Sequence, residues 1–123
     1  MRDPRERLRD VLEAIDAIAR HAGGASAEFG SNELLQVWFL HNLQIIGEAC
    51  RTLPPDIRAM APDIPWSRII GMRNVLVHGY FEIDPDIVWN AVTRDVPGLR
   101  PAMARLLAAL DEPAPGDPRS ATG

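Results

Sequence analysis

Between Asn32 and Leu53 the apolar residues go almost the whole way round a helix: Leu34, Leu35, Val37, Trp38, Phe39, Leu40, Leu43, Ile45, Ile46 and Ala49. A surface helix needs one apolar stripe, so a helix apolar on several faces must be covered on several sides, at the centre of a small bundle or at a subunit interface. That requirement predicts an all-α fold and a homodimer. Trp38 and Phe39 are either anchors of the interface or part of the core. The polar interruptions are His41, Asn42 and Glu48; an arginine such as Arg73 is a possible partner for Glu48.

The remaining chain supplies the other helices. Asp3-Pro4-Arg5-Glu6 reads as a helix start, with Asp3 as cap, Pro4 in the first position and Glu6 completing a capping box. Leu8, Val11, Leu12, Ile15, Ile18, Ala19 and Ala22 then fall on one face, and Gly23-Gly24 is the expected end. Residues 25 to 31 form a small-residue connector. Pro54-Pro55 closes the central helix, Asp56 to Ala61 can make one or two turns, and Asp63-Ile64-Pro65 opens a third helix. Asp84-Pro85 repeats the start signal for a helix carrying Ile87, Val88, Ala91 and Val92, with Trp89 at its flank. Pro97 starts a last helix with Leu99, Met103, Leu106, Leu107 and Leu110 on its apolar side. About five helices, short connectors and no alternating strand give one small bundle over residues 1–111. Residues 112–123 hold three prolines and no large apolar side chain, which predicts a disordered tail.

Composition removes several classes of function. All 13 basic residues are arginine, so a P-loop lysine and a Schiff-base lysine are excluded. Cys50 is the one cysteine, which rules out an internal disulfide and a thiolate metal cluster, and reads as a small buried residue. A net charge of -4 argues against a broad nonspecific nucleic-acid coat but leaves room for a local arginine patch. No uninterrupted apolar run approaches a membrane span and no signal-peptide pattern is present, so a cytoplasmic protein without membrane contact is expected. Glu82, Asp84 and Asp86 alternate; capping and solvation explain them better than a metal site.

The chemistry concentrates in Arg73-Asn74-Val75-Leu76-Val77-His78-Gly79-Tyr80. If the third helix runs from Pro65 to His78, its apolar stripe passes through Trp66, Ile69, Ile70, Leu76 and Val77, and Arg73 lies on the same line. A guanidinium placed there needs an internal carboxylate or a visiting anion. His78 stands one turn beyond Asn74, which can orient the imidazole, and Gly79 supplies a helix stop. Arginine and histidine together suit phosphodiester chemistry: one holds the phosphate, the other moves a proton near neutral pH. The plainer alternative is a helix cap and a surface salt bridge.

The longer string lifts the motif above a chance spacing. Ile64-Pro65-Trp66, Gly71 to Phe81, Asp84 and Ile87-Val88-Trp89, with Asn42 to Ala49 and Leu53-Pro54 upstream, closely resemble the HepT family of the HEPN superfamily, from about residue 3 to about residue 110. The resemblance implies a dimeric helical bundle acting as the toxin of a toxin-antitoxin pair. It implies metal-independent endoribonuclease activity, with no cofactor, carried by an Arg-x4-His-x-Tyr motif. The catalytic pair would be Arg73 and His78, supported by Asn74. Tyr80 would contact RNA or accept AMP from a minimal nucleotidyltransferase antitoxin of the MntA type. Family members often carry arginine where His41 stands. The competing expectation is a non-catalytic interaction module that binds such a nucleotidyltransferase, or nucleotides.

Overall fold

Asp3 caps the first helix through its carboxylate, which accepts from the Arg5 amide at 2.9 Å. The Arg5 side chain folds back onto the same group, with Nη2 2.7 Å from Oδ2. The hydrogen bonds from the Arg5 side chain and then from its amide hold the Asp3 carboxyl at about 2, below the usual carboxylate range. From this cap α1 runs over Pro4–Ala25, past the glycine pair that the sequence suggested as its end. The computed structural model describes residues 3–25, 28–71 and 85–111, and every element among them is helical.

A short 3-10 turn, Phe29–Ser31, leads into α2, Glu33–Thr52. Asn32 caps α2 by accepting from the Leu35 amide at 3.1 Å, and the helix ends just before Pro54-Pro55, as the sequence predicts. Then come α3, Pro55–Ala59, and α4, whose described residues are 66–71. The Trp66 indole fastens α4 to α3 by donating to the Arg58 and Ala61 carbonyls, both at 3.0 Å. After residues 72–84 come α5, Pro85–Asn90, a π-helical segment, Ala91–Asp95, and α6, Val96–Asp111.

The sequence predicts two separate helices here; the structure instead passes from α5 to α6 without leaving helical backbone, Asn90 and Val96 both having right-handed α dihedrals. Proline explains the π segment. Pro97 has no amide to donate, and in a regular α-helix its ring would press on the carbonyl four residues earlier. A wider turn just before it, in which the Val96 amide reaches back five residues to the Ala91 carbonyl, lets the helix continue. Pro101 lies within α6 as well.

Leu8, Val11, Ala14, Ile15 and Ile18 of α1, Phe39, Leu43, Ile46 and Cys50 of α2, and Met103 and Leu106 of α6 form the heart of the core. The expected face of α1 holds except that Ala14 is buried and Ala19 exposed. Phe29 closes one end, its ring 4.8 Å from Trp89 and 5.7 Å from Phe39. The Gln36 amide is buried with it and donates to the Phe29 carbonyl at 2.8 Å, so no polar group is stranded there. On the outside, Arg100 of α6 grips Asp16 of α1 through two contacts of 2.6 and 3.1 Å. Asp111 adds longer contacts to Arg5 and Arg9, each 3.6 Å.

The central helix is less fully covered than its composition asks. Phe39, Leu40, Leu43, Ile46 and Ala49 are buried, but Leu34 is 84% and Val37 51% exposed. Trp38, half-buried, and His41, exposed, continue the same face. Phe39 is thus core, whereas Trp38 lies at a boundary with the His21 ring edge-on at 4.7 Å. Among the described residues no helix is long and apolar enough to cross a membrane.

Candidate functional site

Arg73, Asn74, His78 and Tyr80, together with Glu82 and Asp84, lie outside the described residues, as does the tail 112–123. What the structure defines is the frame on both sides of that stretch. On the entering side, Ile64 and Ile69 are buried and Trp66 is half-buried and hydrogen-bonded, so α4 is fixed against the core before the motif begins. On the returning side, Val88, Ala91 and Val92 are buried.

These two sides border one groove of about 220 Å³. Pro65 comes from just before α4, Arg68 and Ile69 from α4, Ile87 from α5, Ala91 and Asp95 from the π segment, and Val96 and Leu99 from α6, with Ile46 of α2 also lining it. The surface is apolar apart from Arg68 and Asp95, whose charged groups stand 3.5 Å apart with side chains 75% and 45% exposed. An ion pair so exposed is worth at most about 1 kcal/mol, and either partner can exchange it for another. A wider opening of about 420 Å³ between α1 and α2 is lined by Asp10, Glu13, Arg20 and Asn42. Its two carboxylates make it a poor cradle for a phosphate chain.

Glu48 and Asn42 of the central helix each make a contact within that helix. Glu48 is gripped by Arg51, one turn on, at 2.6 and 3.2 Å. The sequence had suggested Arg73 as its partner, and that pairing falls outside the described residues. Asn42 is buried and donates to the Trp38 carbonyl at 3.0 Å. Cys50 is buried, and burial pushes its thiol up to about 12, so it is no nucleophile. Among the described residues no three His, Cys, Asp or Glu side chains are placed to hold a metal ion.

The groove was missed by sequence reasoning, which placed Ile69, Ile87, Ala91 and Leu99 on helix faces and gave Arg68 and Asp95 no role. The one signal pointing toward it was the proline cluster at Pro97 and Pro101, because proline near a helix start calls for local rearrangement of the backbone.

The chain matches the family model described as Ribonuclease HepT-like over residues 11–106. It is 35% identical over 100 residues to "Putative RNase MJ1380" of Methanocaldococcus jannaschii, covering 80% of this chain and 92% of that protein. It is 32% identical over 108 residues to "Putative RNase TTE0752" of Caldanaerobacter subterraneus subsp. tengcongensis, covering 87% and 96%. With "Probable ribonuclease HepT" of Thermococcus cleftensis the identity is 33% over 106 residues, covering 85% and 96%. No solved structure matches.

Proposed function

The chain belongs to the Ribonuclease HepT-like family, and on that premise we propose that it is a metal-independent endoribonuclease acting as the toxin of a toxin-antitoxin pair. The observation that carries the reading is Arg73-x4-His78-x-Tyr80, a cation and an imidazole at fixed spacing inside the matched residues.

In this reading Arg73 holds the non-bridging oxygens of the scissile phosphate and stabilises the charge that grows on them. Neutral His78 accepts the proton of the adjacent ribose 2'-hydroxyl. The 2'-oxygen bonds to phosphorus, the bond to the 5'-oxygen breaks, and the leaving oxygen takes a proton from a second, protonated imidazole. The products are a 2',3'-cyclic phosphate and a 5'-hydroxyl. Asn74 orients the imidazole.

His78 of the partner subunit supplies the second imidazole if the active form is a symmetric dimer. The exposed Leu34 and Val37, beside half-buried Trp38, support such a dimer, since they are the part of α2 that one copy leaves uncovered. Replacing both by serine should then weaken self-association by about 100-fold or more, measured by sedimentation, because each residue is lost from both copies.

Tyr80 is the proposed acceptor of AMP from a minimal nucleotidyltransferase antitoxin. A phosphodiester anion and an adenosine beside Arg73 would compete for the guanidinium and obstruct RNA. The test uses purified full-length protein and labelled RNA in EDTA, comparing wild type with Arg73→Ala and His78→Ala. Cleavage by the wild type alone supports the enzyme. Cleavage by none of the three favours the non-catalytic module that binds the nucleotidyltransferase, and cleavage by all three removes the motif from the chemistry.

A further inference from the structure

The groove between α4 and the run from α5 to α6 has the size and chemistry of a slot for one ring system. At about 220 Å³ it falls below the range of roughly 300–1,000 Å³ typical of drug-sized ligands, so it suits a base rather than a whole nucleotide. Its walls, Ile69 and Leu99 among them, are apolar and can lie against the faces of a flat heterocycle. Its polar edge holds one group that only donates, the Arg68 guanidinium, and one that only accepts, the Asp95 carboxylate, 3.5 Å apart. Asp95 closes the π segment, a backbone form that recurs at functional sites. Arg68 stands five residues before Arg73 in the sequence, and α4 and α5, the described elements on either side of residues 72–84, both line the groove.

We propose that this groove is a nucleobase subsite for the RNA substrate and that guanine is the base it selects. Taking RNA as the ligand rests on the ribonuclease reading above. Guanine alone presents two adjacent N–H donors, N1–H and an N2–H, to the two oxygens of a carboxylate, with O6 beside them to accept from a guanidinium. Adenine and cytosine offer one amino donor beside an acceptor, and uracil one imino N–H between carbonyls. The Arg68–Asp95 pair is exposed enough to open around the base with little loss.

Two measurements on the full-length protein test this. Methyl NMR spectra are followed during titration with 5'-GMP, AMP, CMP or UMP, and cleavage sites are mapped on RNA of random sequence for wild type, Asp95→Asn and Arg68→Gln. Both substitutions are on the surface, and thermal melts check that the fold survives. GMP should shift the methyls of Ile69, Val96 and Leu99, with about tenfold or more weaker binding of the other three nucleotides. Asp95→Asn should abolish the GMP shifts and reduce cleavage beside guanine about tenfold while cutting elsewhere persists.

Equal shifts with all four nucleotides, or none, overturn the assignment. So do shifts that follow protein concentration without nucleotide, which would make the groove a seam between copies. GMP shifts in a protein that cuts no RNA leave the subsite standing and remove the ribonuclease. RNA cut without base preference, and without methyl shifts, does the reverse.

Discussion

The side of the molecule built from α1, α2 and α6 differs from the side where α4 meets α5. On the first, Leu8, Val11, Phe39, Leu43 and Met103 are fully enclosed, and a two-pronged ion pair clamps the outside. On the second, Ile87 is 49% exposed, a groove separates the helices, and the ion pair at its edge is a single 3.5 Å contact. Both are made from the same kinds of residue. The lesson is that stability is concentrated in α1, α2 and α6, while the described elements that flank residues 72–84 leave apolar atoms accessible to a ligand.

Substitutions can break that comparison, and the largest expected effect is in the stretch that follows α4 in the sequence. His78→Ala should lower RNA cleavage by about 10²- to 10⁴-fold, read by single-turnover kinetics, with the melting temperature unchanged. A large fall in melting temperature would place the imidazole in the scaffold instead. On the enclosed side Phe39→Ala should cost about 3–5 kcal/mol, a fall of roughly 10–20 °C in Tm, because the neighbouring rings of Phe29, Trp38 and Trp89 cannot collapse into the space it leaves. Cleavage per folded molecule should stay near the wild-type value; its loss would mean that the two sides are coupled.

The ion pairs sharpen the contrast at a smaller scale. The hydrogen bond from Arg100 lowers the folded-state pKa of Asp16 below its unfolded value. Its stabilisation is therefore present above the usual carboxylate range and is lost as pH falls through the depressed folded value. Asp16→Asn should cost no more than about 1 kcal/mol near neutrality, given the pair's exposure, and should flatten the acid limb of a stability-against-pH curve. Asp95→Asn should change stability least, by no more than about 0.5 kcal/mol in chemical denaturation. A larger loss would show that the groove's edge is structural.

Much of the enclosed side was legible in advance. Asn32 and Pro54 mark the ends of α2 because a cap and a helix-breaker act on their immediate neighbours. The buried face of α1 follows from its periodicity, apart from the exchange of Ala14 for Ala19, two small residues whose depth depends on what α2 and α6 bring against them. The Arg100–Asp16 clamp was not legible, since its partners are 84 residues apart and no local rule joins them. The Arg51 contact to Glu48, one turn away on the same helix, was open to a local rule and was not drawn from the sequence. The groove was hidden for a different reason. It depends on how α4, α5 and α6 fill the space between them, and a pattern of apolar residues records what is buried but not what is left open.

Cys50 adds a consequence of its own. A single thiol, sealed inside α2 and kept protonated by its surroundings, reacts with an alkylating reagent only when the bundle breathes. The rate of that labelling is a clock for opening events, native to the molecule, against which any variant that loses activity can be timed.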